Sequence, residues 1–196
     1  MLFRSTSPEL MKLADNINIK SSNFINSGEV QSDILKLDSL ISILNKGNLV
    51  SKDLNIKSKN IENTGTIYGD LSLVLTSDKY INKNSAITAG NILTLNSIVE
   101  NDGNILGEKV TFTGTEIKNT GNITGEDTLH ITSDLKNTGT VQGKNLVSII
   151  GNIDNSQNIK SEKVLNISGN IINTGYIYGE NADVVGNITN SGDILS

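Results

Sequence analysis

The feature that most constrains this chain is a tripeptide that keeps returning at one spacing. Asn-Thr-Gly occurs at Asn63-Thr64-Gly65, Asn119-Thr120-Gly121, Asn137-Thr138-Gly139 and Asn173-Thr174-Gly175. Looser copies begin at Asn26 (with Gly28), Asn45 (with Gly47), Asn101 (with Gly103), Asn155 and Asn190 (with Gly192), and Lys83-Asn84-Ser85 is a degenerate copy. Taken by their first residue, the triplets step by 19, 18, 20, 18, 18, 18, 18, 18 and 17 residues. A near-constant period of this length across a whole chain is the signature of a solenoid, in which each unit is too small to bury its own apolar face and must stack on its neighbours.

The flanks keep the same register. Two residues before each triplet sits an apolar residue: Phe24, Ile43, Ile61, Ile81, Val99, Ile117, Leu135, Ile153, Ile171 or Ile188. Four after its first residue sits Val30, Leu49, Ile67, Ile87, Ile105, Ile123, Val141, Ile159, Ile177 or Ile194. Six after it the residue is always small, as at Ser51, Gly69, Ala89 or Gly125. Thirteen of the 18 glycines fall in the triplet and small columns. Short alternating stretches follow, such as Leu71-Ser72-Leu73-Val74-Leu75 and Leu129-His130-Ile131. Alternation with period two reads as a half-buried strand, and no repeat carries a helical period.

These units predict an all-β chain: a right-handed parallel β-helix of about ten coils, with stacked strands about 4.8 Å apart and a rod of roughly 45–50 Å. Ile and Val suit the strands because their stiff χ1 packs well on a pleated surface. The triplet Gly is expected to supply positive φ in the turn. The Asn before it is expected to bond to its equivalents above and below, as amide ladders do in cross-β stacks, with one rung missing at Lys83. A leucine-rich horseshoe would need Leu-x-x-Leu-x-Leu and a helix in each repeat, which the sequence lacks. A sandwich would not hold one 18-residue register.

Composition narrows the function. The chain has no Cys, one His (His130) and one Arg (Arg4). Thiol chemistry, disulfides and a Cys zinc site are excluded, as is multi-His ligation. A net charge of −5 argues against nucleic acid as a partner. No cofactor is expected. His130 lies on an alternating strand and reads as a solvated residue. Asp70, Glu108, Glu126 and Glu180 recur near the corner after the small column, but nothing marks them as more than solvated corner charges. No Gly-Gly-x-Gly-x-Asp calcium repeat occurs. Tyr68 and Tyr178 share a register position. The sequons at Asn122, Asn166 and Asn187 follow from an Asn- and Ile-rich repeat.

Residues 1–12 lie outside the register. Ser7-Pro8-Glu9 carries helix-start signals and predicts a short capping helix over about Pro8–Leu13. Residues 13–196 then form the single β-helix. The sequence stops inside a repeat, so the chain is expected to be a segment of a longer shaft.

The pattern apolar-x-Asn-Thr-Gly-x-Ile-x-Gly, as in Ile61 to Gly69, Ile117 to Gly125 and Ile171 to Gly179, resembles the repeats of bacterial filamentous haemagglutinins. These are two-partner-secreted exoproteins that include adhesins, haemolysins and contact-dependent inhibition proteins. The resemblance spans roughly residues 13–196. It implies a secreted or cell-surface location and export through an outer-membrane partner. It also implies a protein or glycan receptor on a host or neighbouring cell, and a non-enzymatic role in adhesion or in presenting a binding or toxin region. The family's secretion domain and any toxin domain are not visible in this sequence. The alternatives are a carbohydrate-active β-helix, either polysaccharide lyase or hydrolase, and a segment that self-associates end to end.

Overall fold

The structure, a computed structural model, describes residues 3–5 and 11–196, with side chains from residue 15 onward. Every regular element among the described residues is a β-strand, and every pairing between strands is parallel. The chain winds as a β-solenoid of about ten coils. Each coil has three sides, most clearly in the stretch Thr140–Gly143, Leu146–Ile150 and Ile153–Asn155. The side carrying the apolar-x-Asn strand is called the first face here. The strand after the turn forms the second face, and the longer alternating strand forms the third.

Pairing follows the repeat. Thr140 to Gly143 lies between Asn122 to Gly125 in the coil before and Asn158 to Ser161 in the coil after. Alternation within each strand sends one set of residues into the rod. Ile61, Ile67, Leu73 and Leu75 of one coil stack under equivalents such as Val99, Ile105, Val110 and Phe112 further along, all buried. One continuous apolar core runs from Phe24 to Ile177. The parallel stack pairs backbone groups coil to coil, so the interior needs only side chains that tile a 4.8 Å repeat.

Three sequence expectations are corrected. The rung expected to be missing at Lys83 is filled one residue earlier, by Asn82. The register there shifts with it. Tyr80 rather than Ile81 is buried, Thr88 rather than Ile87 pairs with Ile67, and Gly90 rather than Ala89 pairs with Gly69. The physical cause is a turn longer than the others. Lys83–Ala86 closes as a β-turn in which the Ala86 N–H donates to the Lys83 carbonyl at 3.0 Å, with Ser85 at φ 67°.

The second correction concerns glycine. Among the glycines of the described residues only Gly151, Gly169 and Gly186 have positive φ, and they lie at the corner after the third face. Gly47, Gly65, Gly103, Gly121, Gly139, Gly175 and Gly192 are needed for a different reason, close approach of backbones. A Cβ on Gly65 would lie 2.2 Å from the Gly47 carbonyl oxygen. The third concerns the expected helix over residues 8–13. Residues 8–10 lie outside the described residues, and Met11, Lys12 and Leu13 begin the strand Met11–Asn26.

Candidate functional site

The one polar constellation that runs the length of the rod is inside it. Ten asparagines, Asn26, Asn45, Asn63, Asn82, Asn101, Asn119, Asn137, Asn155, Asn173 and Asn190, stand one per coil on the inner side of the turn. Each of the first nine donates from Nδ2 to Oδ1 of the next. The distances are 2.8, 2.9, 3.0, 2.8, 2.7, 2.8, 2.8, 2.7 and 2.8 Å. All but the last are buried, and Asn190 is exposed in the final coil.

The same amides clamp the turns. Asn119 Nδ2 also reaches the Gly121 carbonyl of its own turn and the Thr140 carbonyl of the next, both at 3.1 Å. In several coils Oδ1 accepts from the turn glycine's N–H, as Gly65 to Asn63 at 3.2 Å. The turns themselves stack by backbone bonds, for example Thr64 N–H to Asn45 O and Thr66 N–H to Gly47 O. This is why the glycine column tolerates no side chain there. A buried amide costs free energy unless both its donors and its acceptor are used, and the ladder uses them.

Asn82 solves a local problem. Its turn is two residues longer, and its Oδ1 lies 3.2 Å from the Tyr80 hydroxyl and 3.0 Å from the Thr88 hydroxyl. Tyr80 and Thr88 also contact each other, so two hydroxyl protons are shared among the three oxygens, one hydroxyl donating to the other and that one to Asn82. Tyr80 is fully buried, and desolvation pushes its phenol far above the usual range. A Tyr–Thr pair thus stands where other coils have two apolar residues.

A second, outer ladder lies at the corner after the third face. Asp134 Oδ1 accepts from the Asn152 backbone N–H at 2.8 Å and from Asn152 Nδ2 at 3.1 Å. Asn170 then donates to Asn152, and Asn187 to Asn170. Its donors point toward the chain's N-terminus, opposite to the inner ladder. Gly151, Gly169 and Gly186 precede these asparagines at positive φ. A shallow groove beside them is lined by Glu116, Asp134, Lys136, Asn152, Asp154 and Ile172. The recurring Gly-Asn pair at 151, 169 and 186 is the sequence signal for this corner, and a step of 19 on either side is the signal for Asn82.

The other candidates stay apart. His130 is exposed on the third face. Asp70, Glu108, Glu126 and Glu180 are all exposed at one corner. Glu108 and Glu126 are on successive coils, whereas Asp70 is two coils before Glu108 and Glu180 three coils after Glu126. Tyr68 donates to Asp70 at 2.9 Å, and that bond, followed by partial burial, raises its phenol pKa. Tyr178 pairs with Tyr176 instead, ring centroids 6.1 Å apart. No group of three or more His, Asp or Glu arranged to hold a metal occurs among the described residues. No helix among them is long and apolar enough to cross a membrane.

In comparison with known proteins, no family model, no curated protein and no solved structure matches the chain.

Proposed function

We propose that the chain is part of the non-enzymatic shaft of a secreted or cell-surface exoprotein. In that role it adheres to a neighbouring or host cell, or holds a binding or toxin region away from the surface that exports it. The observation that carries this is the inner ladder. Nine successive Asn–Asn bonds run from Asn26 to Asn190 without a break, so the asparagines of the interior are committed to building length. The repeat's resemblance to filamentous haemagglutinins points the same way. A shaft needs lengthwise cohesion, and each coil here is held to the next by backbone pairing, an apolar column and an amide.

Beads coated with the purified chain are expected to stay on cultured cells or bacteria under flow, and uncoated beads to wash off. A polysaccharide lyase or hydrolase would instead release unsaturated or reducing ends from acidic polysaccharides. If such release were seen, and were abolished by Asp134→Asn or Asp154→Asn in the corner groove, the shaft proposal would be overturned.

A further inference from the structure

The charges of this chain are not spread evenly over its sides. Over six successive coils, residues 61 to 170, the first face presents one outward residue per coil between its buried core residue and the ladder asparagine. Five of the six are charged: Glu62, Glu100, Lys118, Lys136 and Asp154, with Ile81 the exception. Over the same coils the third face presents three outward residues per coil, from Ser72, Val74 and Thr76 to Val164, Asn166 and Ser168. Of these 18 positions only Lys109 is charged with His neutral. Threonine holds six of them. Val74, Ile92, Leu146, Ile150 and Val164 make five aliphatic, with Ile92 and Ile150 more than half exposed.

In a chain that is 19% charged this face is conspicuously bare. Lys109 stands at the margin of the face, just past the corner that follows Gly107, where its stem can lie along the sheet while its ammonium stays wet. The second face is also poor in charge over these coils but is narrower, with two outward residues per coil.

We propose that the third face is the side through which two copies of this chain associate laterally, sheet against sheet. Two arguments select a second copy as the occupant. The first is charge. Each copy carries a net charge of −5, and the first face and the corners carry most of the charged side chains. Two like-charged rods repel, and closing a charged side strips water from ions. Between residues 72 and 168 the third face is the broad side on which contact desolvates almost no ion, whereas the two coils before it present Lys36, Asp38, Asp53 and Lys57 and fall outside the proposed contact. Its Thr, Val and Ile are the side chains that pack between stacked sheets about 10 Å apart.

The second is area. Five residues of strand and six coils give a flat area of about 17 by 29 Å, roughly 500 Å² per copy. Two copies together bury about 1,000 Å² before corrugation is counted, at the lower edge of stable interfaces. The expected complex is therefore a weak, reversible dimer with a dissociation constant of roughly 1–100 µM. Its geometry differs from end-to-end stacking, and it does not depend on the adhesive role proposed above.

The absence of cysteine from the sequence makes a clean test. Thr111 lies near the centre of the face. Thr111→Cys under mild oxidation should give a disulfide-linked dimer, and Ile172→Cys on the first face should not. Sedimentation equilibrium of the unmodified chain should show concentration-dependent dimerisation. Thr111→Glu, and separately Ser148→Glu, should raise the dissociation constant at least tenfold, while Ile172→Glu adds the same charge and leaves it within twofold. Circular dichroism and the melting midpoint establish that each variant is folded. A chain that stays monomeric at every concentration overturns the proposal. So does a dimer that survives both third-face charges, or equal cross-linking from the two cysteine positions. Association abolished by a neutral linear polysaccharide would assign the face to a glycan instead.

Discussion

Replacing one inner asparagine by alanine measures what the ladder contributes, and the structure supplies the magnitude. Asn119 accepts from Asn101 at 2.7 Å and donates to Asn137 at 2.8 Å, and it holds the Gly121 and Thr140 carbonyls at 3.1 Å. In Asn119→Ala the Asn101 amide keeps two weaker acceptors, the Gly103 and Asn122 carbonyls at 3.2 Å. Asn137 Oδ1 keeps only the Gly139 N–H at 3.3 Å. Two good hydrogen bonds are lost at about 1 kcal/mol each, and the partners stay buried. A void of about one water molecule adds roughly 0.7 kcal/mol. The sum is about 3 kcal/mol, which for a domain of this size lowers the melting midpoint by about 6–12 °C. Asn190→Ala removes the terminal, exposed rung and should cost about 0.5 kcal/mol. Urea unfolding followed by circular dichroism reads both. Asn119→Leu is the stringent control, because it fills the space yet leaves Asn101 and Asn137 short of a partner. It should remain at least 2 kcal/mol below the parent chain. If Asn119→Ala and Asn190→Ala differ by less than about 0.5 kcal/mol, the inner ladder is not what holds these turns.

The glycines of the turn column make a sharper contrast with their neighbours. Gly65→Ala would place a Cβ 2.2 Å from the Gly47 oxygen and must prise two turns apart, so a loss of at least about 3 kcal/mol is expected in the same urea assay. Lys46→Ala, exposed in the turn below, should stay within about 0.5 kcal/mol. Ser85 sits at φ 67° in the long turn, where glycine carries no Cβ penalty. Ser85→Gly should therefore stabilise by about 0.5–1 kcal/mol, a rise in midpoint of a few degrees by calorimetry. Tyr80 gives a pH dependence. Its phenol is raised in the folded state by desolvation, so the folded chain keeps a proton that the unfolded chain loses above about pH 10. This contribution is complete below that pH and is lost as pH rises beyond it. Tyr80→Phe should flatten the alkaline fall in stability, and ultraviolet titration of the parent should show one tyrosine silent until unfolding.

Much of this fold could be read from one repeat, and the parts that could not have definite causes. The period, the apolar columns at Ile61 and Ile67 and the small column at Gly69 are all set by stacking. Stacking repeats the same environment each coil, so sequence and structure share a register. The triplet at Lys83 lies one residue past the ladder because the turn there is longer. What the stack conserves is the inner asparagine, not the turn that follows it. Counting 19 residues from Asn63, or back from Asn101, lands on Asn82 and brings Tyr80 into its core position, while Thr88 takes the next one six residues on, not four, because the turn is longer. The role of the turn glycines was out of reach for another reason. Positive φ and a missing Cβ against a neighbouring backbone both call for glycine, and only three-dimensional stacking separates the two. The outer ladder from Asp134 to Asn187 was written in the Gly-Asn pairs, but it spans only four coils and a shorter run is harder to see.

Why an amide column should run through an otherwise apolar interior follows from what stacking leaves undetermined. Aliphatic columns of Ile, Leu and Val can slide past one another at little cost, since each packs nearly as well on the next. The coils here are unequal, with ladder steps of 17, 18 and 19 residues. The irregularities in pairing fall between faces, as between Gly69 and Ser72, Thr76 and Lys79, or Gly107 and Lys109. Something must close each coil at the same place while the corners absorb the surplus. A buried amide does this, because a coil displaced by one residue would leave both its donor and its acceptor unpaired in a dry interior. A single buried asparagine fixes register in coiled coils by the same penalty. In this rod the penalty is repeated at every turn, so the insertion at Lys83–Ala86 bulges outward and the column from Asn63 to Asn82 to Asn101 stays intact.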